Sequence, residues 1–109
     1  MNSNIELKIS FRFAKLSEHQ ATILKNTFSE LKLGKHFKTK NITGSIPLTE
    51  DNISLISSFM ETNDIPKEIT DIFISFVTEY GTRIIDVPTY VNQAVIKLGS
   101  KITLSYTII

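Results

Sequence analysis

The sequence predicts an α+β fold: a ferredoxin-like sandwich with a mainly antiparallel sheet and helices packed on one face. Three observations lead there. Both ends of the chain alternate with the period of a half-buried strand. Ile5, Leu7, Ile9, Phe11 and Phe13 oppose Glu6, Lys8, Ser10 and Arg12, while Ile102, Leu104, Tyr106 and Ile108 oppose Lys101, Thr103, Ser105 and Thr107. Between the ends, apolar residues recur at helical spacing in three segments. Those segments separate strand-like ones in the order β-α-β-α-β-α-β, which suits a layered α+β arrangement. At 109 residues, with 41% hydrophobic and 21% charged content, the chain is read as one domain over 1–109 with a single sizeable core.

The first strand is "IELKISFRF". A helix follows, opened by a capping box from Ser17 to Gln20 and marked by the stripe Ala21, Leu24, Phe28 and Leu31, with Gly34 as its left-handed stop. A short strand is expected over 36–43, ending in the turn "GSIP". Thr49 caps the second helix, Glu50 and Asp51 favour its N-terminal dipole, and Ile53, Ile56, Phe59 and Met60 form its buried side. Residues 66–80 admit two readings. Ile69, Ile72, Phe73, Phe76, Val77 and Tyr80 fit a helical stripe between Pro66 and Gly81, yet "IFISFVTEY" is dense in β-branched and aromatic residues. We take a strand over 71–80, buried on both sides. "TRIIDV" is read as a short extension or a returning strand. Pro88 opens the third helix, Val91, Val95 and Leu98 face inward, and Gly99 ends it. The last strand is expected beside the first, near the centre, so that the two ends of the chain close the sheet.

The stretch from "DIFISFVTEY" through "VPTYVNQAVIKLG" to "SKITLSYTI" resembles the end of a bacterial family catalogued as domain of unknown function 4279. "ISFRFAKLSEHQATIL" resembles that family's opening strand and helix. The middle departs from it: the family has a longer, aromatic-containing segment where this chain has "KTKNITGSIPLTED". The resemblance implies an α+β fold and a bacterial origin. It implies no activity and assigns no catalytic residue.

Composition narrows the function classes. No cysteine is present, so disulfide and thiolate chemistry are excluded. Neither a signal peptide nor an apolar run of membrane-spanning length is visible, and a cytoplasmic protein with no membrane partner is expected. The abundance of Ile, Asn and Lys fits an AT-rich genome, bacterial or phage. Net charge is +1 but uneven: residues 1–40 carry +5 and residues 41–109 carry −4. Such asymmetry either marks a polyanion partner or neutralises itself on folding. His19 and His36 with no cysteine argue against a metal site, and no cofactor is expected. No G-x-S-x-G elbow and no glycine-rich phosphate loop occurs. The carboxylates Glu61, Asp64, Glu68 and Asp71 read as solvated groups, and Asn41-Ile42-Thr43 as a chance glycosylation match.

One constellation remains. Alternation places Lys8, Ser10 and Arg12 on one polar strand side, His36, Lys38 and Lys40 on another, and Lys101, Thr103 and Ser105 on a third. In one sheet these residues make a hydroxyl-rich, mildly basic open face, with Phe73 and Val77 adding an apolar centre. The leading expectation is a non-enzymatic protein-binding domain, like an immunity protein or inhibitor, whose partner is another protein or itself. Nucleic-acid binding through the same basic face is the alternative, and a small hydrolase or metabolite-binding protein is a third.

Overall fold

The computed structural model describes residues 7–79 and 84–109. Its elements run β1 (Lys8–Leu16), α1 (Glu18–Thr27), β2 (Lys32–Lys35), β3 (Ile42–Pro47), α2 (Ile53–Thr62), β4 (Thr70–Thr78), α3 (Tyr90–Leu98) and β5 (Lys101–Ile108). Short 3₁₀ turns at Glu50–Asn52 and Lys67–Ile69 lead into α2 and β4. This is an α+β fold with a five-stranded mixed sheet in the order β2-β3-β1-β4-β5. The pairs β2–β3, β3–β1 and β1–β4 are antiparallel, whereas β4–β5 is parallel.

The alternating pattern of β1 holds its predicted sides. Phe11 and Phe13 are buried, and Arg12 between them faces away. Ile5 and Glu6 lie outside the described residues. The strand has one irregularity: Phe13 opposes Gly44 but Leu16 opposes Ile42. The extra residue of this bulge shifts the alternation, so Leu16 joins Phe11 and Phe13 in the core. Ser17 caps α1 through the predicted box: its Oγ accepts from the Gln20 backbone N–H at 3.0 Å, and Gln20 Oε1 accepts from the Ser17 N–H at 2.9 Å.

All three helices feed one core on one side of the sheet. Leu24 of α1, Ile56 and Phe59 of α2, and Val91 and Ala94 of α3 join Phe11, Phe13, Ile46, Ile72 and Ile74 of the strands. Edge-on aromatic contacts run through it: Phe11 to Phe13 at 5.1 Å, Phe13 to Phe59 at 5.8 Å and Phe28 to Phe59 at 6.3 Å between centroids. Gly44 of β3 lies beneath Leu24 of α1. A Cβ there would stand 3.1 Å from Leu16 Cδ1 and 3.2 Å from Leu24 Cδ2.

Several expectations need correction. α1 stops at Thr27 rather than running to Gly34. Phe28 turns extended (φ −122°, ψ 110°), and its ring is buried against Phe59 instead of continuing the helical stripe. Gly34 lies in β2. The strand expected over 36–43 is a hairpin instead. Its loop carries His36, Lys38 and Lys40, and "GSIP", read as a turn, belongs to strand β3. The loop closes through Lys40 N–H to His36 O at 2.8 Å and His36 N–H to Asn41 O at 2.9 Å, with Lys40 at φ 63°. A lysine in the left-handed region replaces the Gly or Asn that normally announces such a turn, and this concealed it.

Within 66–80, Thr70–Thr78 is a strand, with Ile72 and Ile74 buried in the core. Its other side is not fully buried, since Val77 is exposed, and Tyr80 lies outside the described residues. Residues 84–87 form no strand, and Thr82 and Arg83 lie outside the described residues. α3 ends at Gly99, whose φ of 69° supplies the left-handed stop. The largest correction concerns β5. It does not lie beside β1. It is the sheet edge, separated from β1 by β4 and parallel to β4. Alternation fixes which side of a strand is apolar but says nothing about its neighbour.

Candidate functional site

Residues opposite one another in the ladders share a face. One continuous row on the helix-free side therefore reads Lys32, Ser45, Arg12, Asp71 and Lys101, from β2 across to β5. The next row joins Ser10, Phe73 and Thr103, and a third joins Lys8, Ser75 and Ser105. Seven of the ten residues singled out from the sequence thus share this face: Lys8, Ser10, Arg12, Phe73, Lys101, Thr103 and Ser105. The other three are on the β2–β3 loop. His36 still reaches the face, because it lines a cavity of about 380 Å³ together with Arg12, Lys32, Ser45, Asp71 and Lys101. Lys38 stands off, its Nζ 5.7 Å from the centroid of the Phe37 ring. Lys40 borders a separate depression beside the start of α1.

At the centre of the face Arg12 grips Asp71. Its Nε donates to Oδ1 at 2.7 Å, and its Nη2 donates to Oδ2. Thr103 Oγ1 donates to the same Oδ2 at 2.7 Å. Burial by itself would raise the pKa of Asp71. The hydrogen bonds from Arg12 and Thr103, with the charges of Arg12 and Lys101, outweigh it and hold the carboxyl below its ordinary 3.8. Asp71 is therefore an anchored carboxylate at neutral pH, not an acid with a proton to give. The Arg12 guanidinium also lies 3.8 Å over the centroid of the Phe73 ring, so one face of that ring is already covered. Phe73 is a platform for Arg12 and not the open apolar centre expected.

Lys32 and Lys101 flank this assembly, and among the described residues neither enters an ion pair. His36 is oriented by its own loop. Its Nδ1 accepts from the backbone N–H of Lys38 at 3.2 Å and of Thr39 at 3.3 Å, which leaves the Nε2 position as a donor. Two ammonium groups and an imidazole N–H thus border a largely apolar hollow that Glu68 also lines, around the already paired Arg12 and Asp71. Lys32 and Lys101 outnumber Glu68, so the rim keeps a net positive charge and suits an anionic group arriving from outside, such as a carboxylate.

Lys32, Ser45, Asp71 and Phe37 were not expected here. The first two depend on the β2–β3 hairpin. Asp71 depends on the β1–β4 register, which places it opposite Arg12. Phe37 is 75% exposed at the loop tip and stacks on His36 at 5.5 Å between centroids. The run "KHFKTK", an aromatic residue set among cations, is the signal that was available for it. Among the described residues no group of three or more His, Asp or Glu side chains is placed to hold a metal ion. No described helix is long and apolar enough to cross a membrane. Comparison with family models, with curated proteins and with solved structures finds no match for this chain.

Proposed function

We propose that this chain is a small non-enzymatic binding protein, of the immunity-protein or inhibitor kind, that engages another protein through its helix-free sheet face. The observation that carries the reading is the hollow ringed by Lys32, His36 and Lys101 around the satisfied Arg12–Asp71 pair. An acidic side chain of the partner seats there, and the hydroxyls of Ser10, Thr103 and Ser105 meet polar groups around it. Two features favour a protein over nucleic acid. The Arg12 fork is already engaged by a carboxylate, so it is not free to clasp a phosphate. The Phe73 ring is covered by that same guanidinium, so it offers no clear platform for a base.

A second reading has its own observation. Exposed Phe37, stacked on His36 among Lys35, Lys38 and Lys40, presents an aromatic and cationic tip of the sort that holds single-stranded nucleic acid. We likewise read β1 to β4 with α1 and α2 as a ferredoxin-like unit to which α3 and β5 are appended. The likeness to domain of unknown function 4279 is retained as a proposal of ancestry alone. A cytoplasmic site of action rests on composition.

Affinity capture with the protein and its Lys32→Glu/Lys101→Glu variant tests the main reading. The expected result is a defined protein held by the first and lost from the second. Filter binding of RNA or DNA at low salt, abolished by Phe37→Ala and steeply weakened by added salt, would instead establish the second reading.

A further inference from the structure

The two edges of the sheet are built differently. β2 has four residues, and Lys32 and Lys35 guard its ends. β5 has eight, and from Ile102 to Ile108 it carries no charge, no proline and no break in register against β4. Natural edge strands are normally blunted by such devices, because unpaired N–H and C=O groups recruit another strand. β5 also presents an apolar row. Ile102, Leu104, Tyr106 and Ile108 lie on the helix side of the sheet, opposite Ile72, Ile74, Phe76 and Thr78, yet remain 46–60% exposed. Tyr106 stacks on Phe76 at 5.5 Å. Together the four residues of this row expose on the order of 400 Å², mostly apolar, within the range of the largest patch on an ordinary monomer. That is about half of the roughly 800 Å² each partner gives to a standard interface.

We propose that β5 is the interface between two copies of this chain, paired antiparallel about a two-fold axis to make one ten-stranded sheet. The self-match of the strand is what selects a second copy as the occupant. With the axis at Ser105, Ile102 opposes Ile108 of the second copy, Leu104 opposes Tyr106, and Thr103 opposes Thr107. Apolar residues meet apolar ones on the helix side, and hydroxyls meet hydroxyls on the open side, a favourable set of cross-strand pairs. No charge is buried, since Lys101 falls at the end of the paired span. A two-fold axis normal to the sheet always pairs residues of the same parity, so this strict alternation is self-complementary in the way an isologous interface requires. Pairing would also join the two helix-free faces into one surface carrying two hollows. The inference itself does not depend on what those faces bind.

Light scattering coupled to size exclusion, over a concentration series, should give the mass of two chains. Tyr106→Lys should return it to one chain while the melting temperature of the monomer stays within a few degrees. The chain has no cysteine, so Ser105→Cys provides a clean register probe. On mild oxidation it should cross-link two copies in high yield, whereas the same substitution at exposed Ser54 on α2 should not. A protein that is monomeric at every soluble concentration overturns the proposal. So does a dimer that survives Tyr106→Lys and stays uncross-linked in the Ser105→Cys variant, or a monomer that binds an extended peptide of another protein along β5.

Discussion

The two faces of this sheet show how one set of strands divides its labour. Toward the helices, Phe11, Phe13, Ile46, Ile72 and Ile74 are almost fully buried and touch α1, α2 and α3 through one continuous core. Away from the helices, the residues between them, Arg12, Ser45, Asp71 and Phe73, border a hollow or lie beside it. The covered face is apolar, dense and intolerant of change in volume. The open face is polar, and its interactions are local: one guanidinium, one carboxylate, one hydroxyl and one ring. Stability resides mainly on the first face, and recognition is free to reside on the second.

Phe11→Ala should have the largest effect, a loss of about 3–5 kcal/mol, because the ring is fully buried between β3 and β4 and its removal leaves a cavity under the helices. Chemical denaturation would measure it, and a small loss would break the division at once. Asp71→Asn tests the one strong interaction of the open face. Arg12 keeps 40% of its side chain in water and can be resolvated, so the expected loss is only about 1–2 kcal/mol at neutral pH. The pH dependence follows from the lowered pKa of Asp71. The contribution of the pair is complete above the unfolded-chain value near 3.9 and is lost as pH falls through the lower folded value. Acid titration of stability should therefore lose part of its slope in that window in the variant.

Gly44→Ala sharpens the contrast from the covered side. The added methyl meets Leu16 and Leu24, both fixed in the core, and should cost about 1 kcal/mol after the gain from a stiffer unfolded chain. The smallest effect belongs to Lys32→Glu. It should leave stability within about 0.5 kcal/mol while removing partner capture. Unfolding by this single exposed reversal would refute the separation of roles.

The covered face was the more legible in the sequence, because burial imposes a period. The stripes of α2 and α3, the alternation of β1 and the β-branched density of β4 each answer to one local rule. The order of the strands answers to none. Nothing local in "SKITLSYTI" distinguishes pairing with β1 from parallel pairing with β4. The hairpin escaped because Lys40 adopts a conformation that lysine seldom takes. The open face was legible as sides of strands: Lys8, Ser10 and Arg12, and Lys101, Thr103 and Ser105, emerge as predicted. It was not legible as contacts. That Arg12 meets Asp71 depends on register across 59 residues of chain.

At the foot of β4 and β5 two small hydroxyls are wholly enclosed. Thr70 Oγ1 donates to Lys67 O at 2.7 Å, so the 2.5 Å contact with Ser100 takes its proton from Ser100. This contact ties the first residue of β4 to the residue preceding β5. The tie acts as a phase lock. A slip of β5 by one position would separate the two hydroxyls inside the core, leave Ser100 without its acceptor, and turn every side chain of the strand to the opposite side. Ile102, Leu104 and Tyr106 would then stand among Arg12 and Asp71, and the threonines would face the helices. Two buried oxygen atoms thereby help decide which chemistry each surface of the last strand displays.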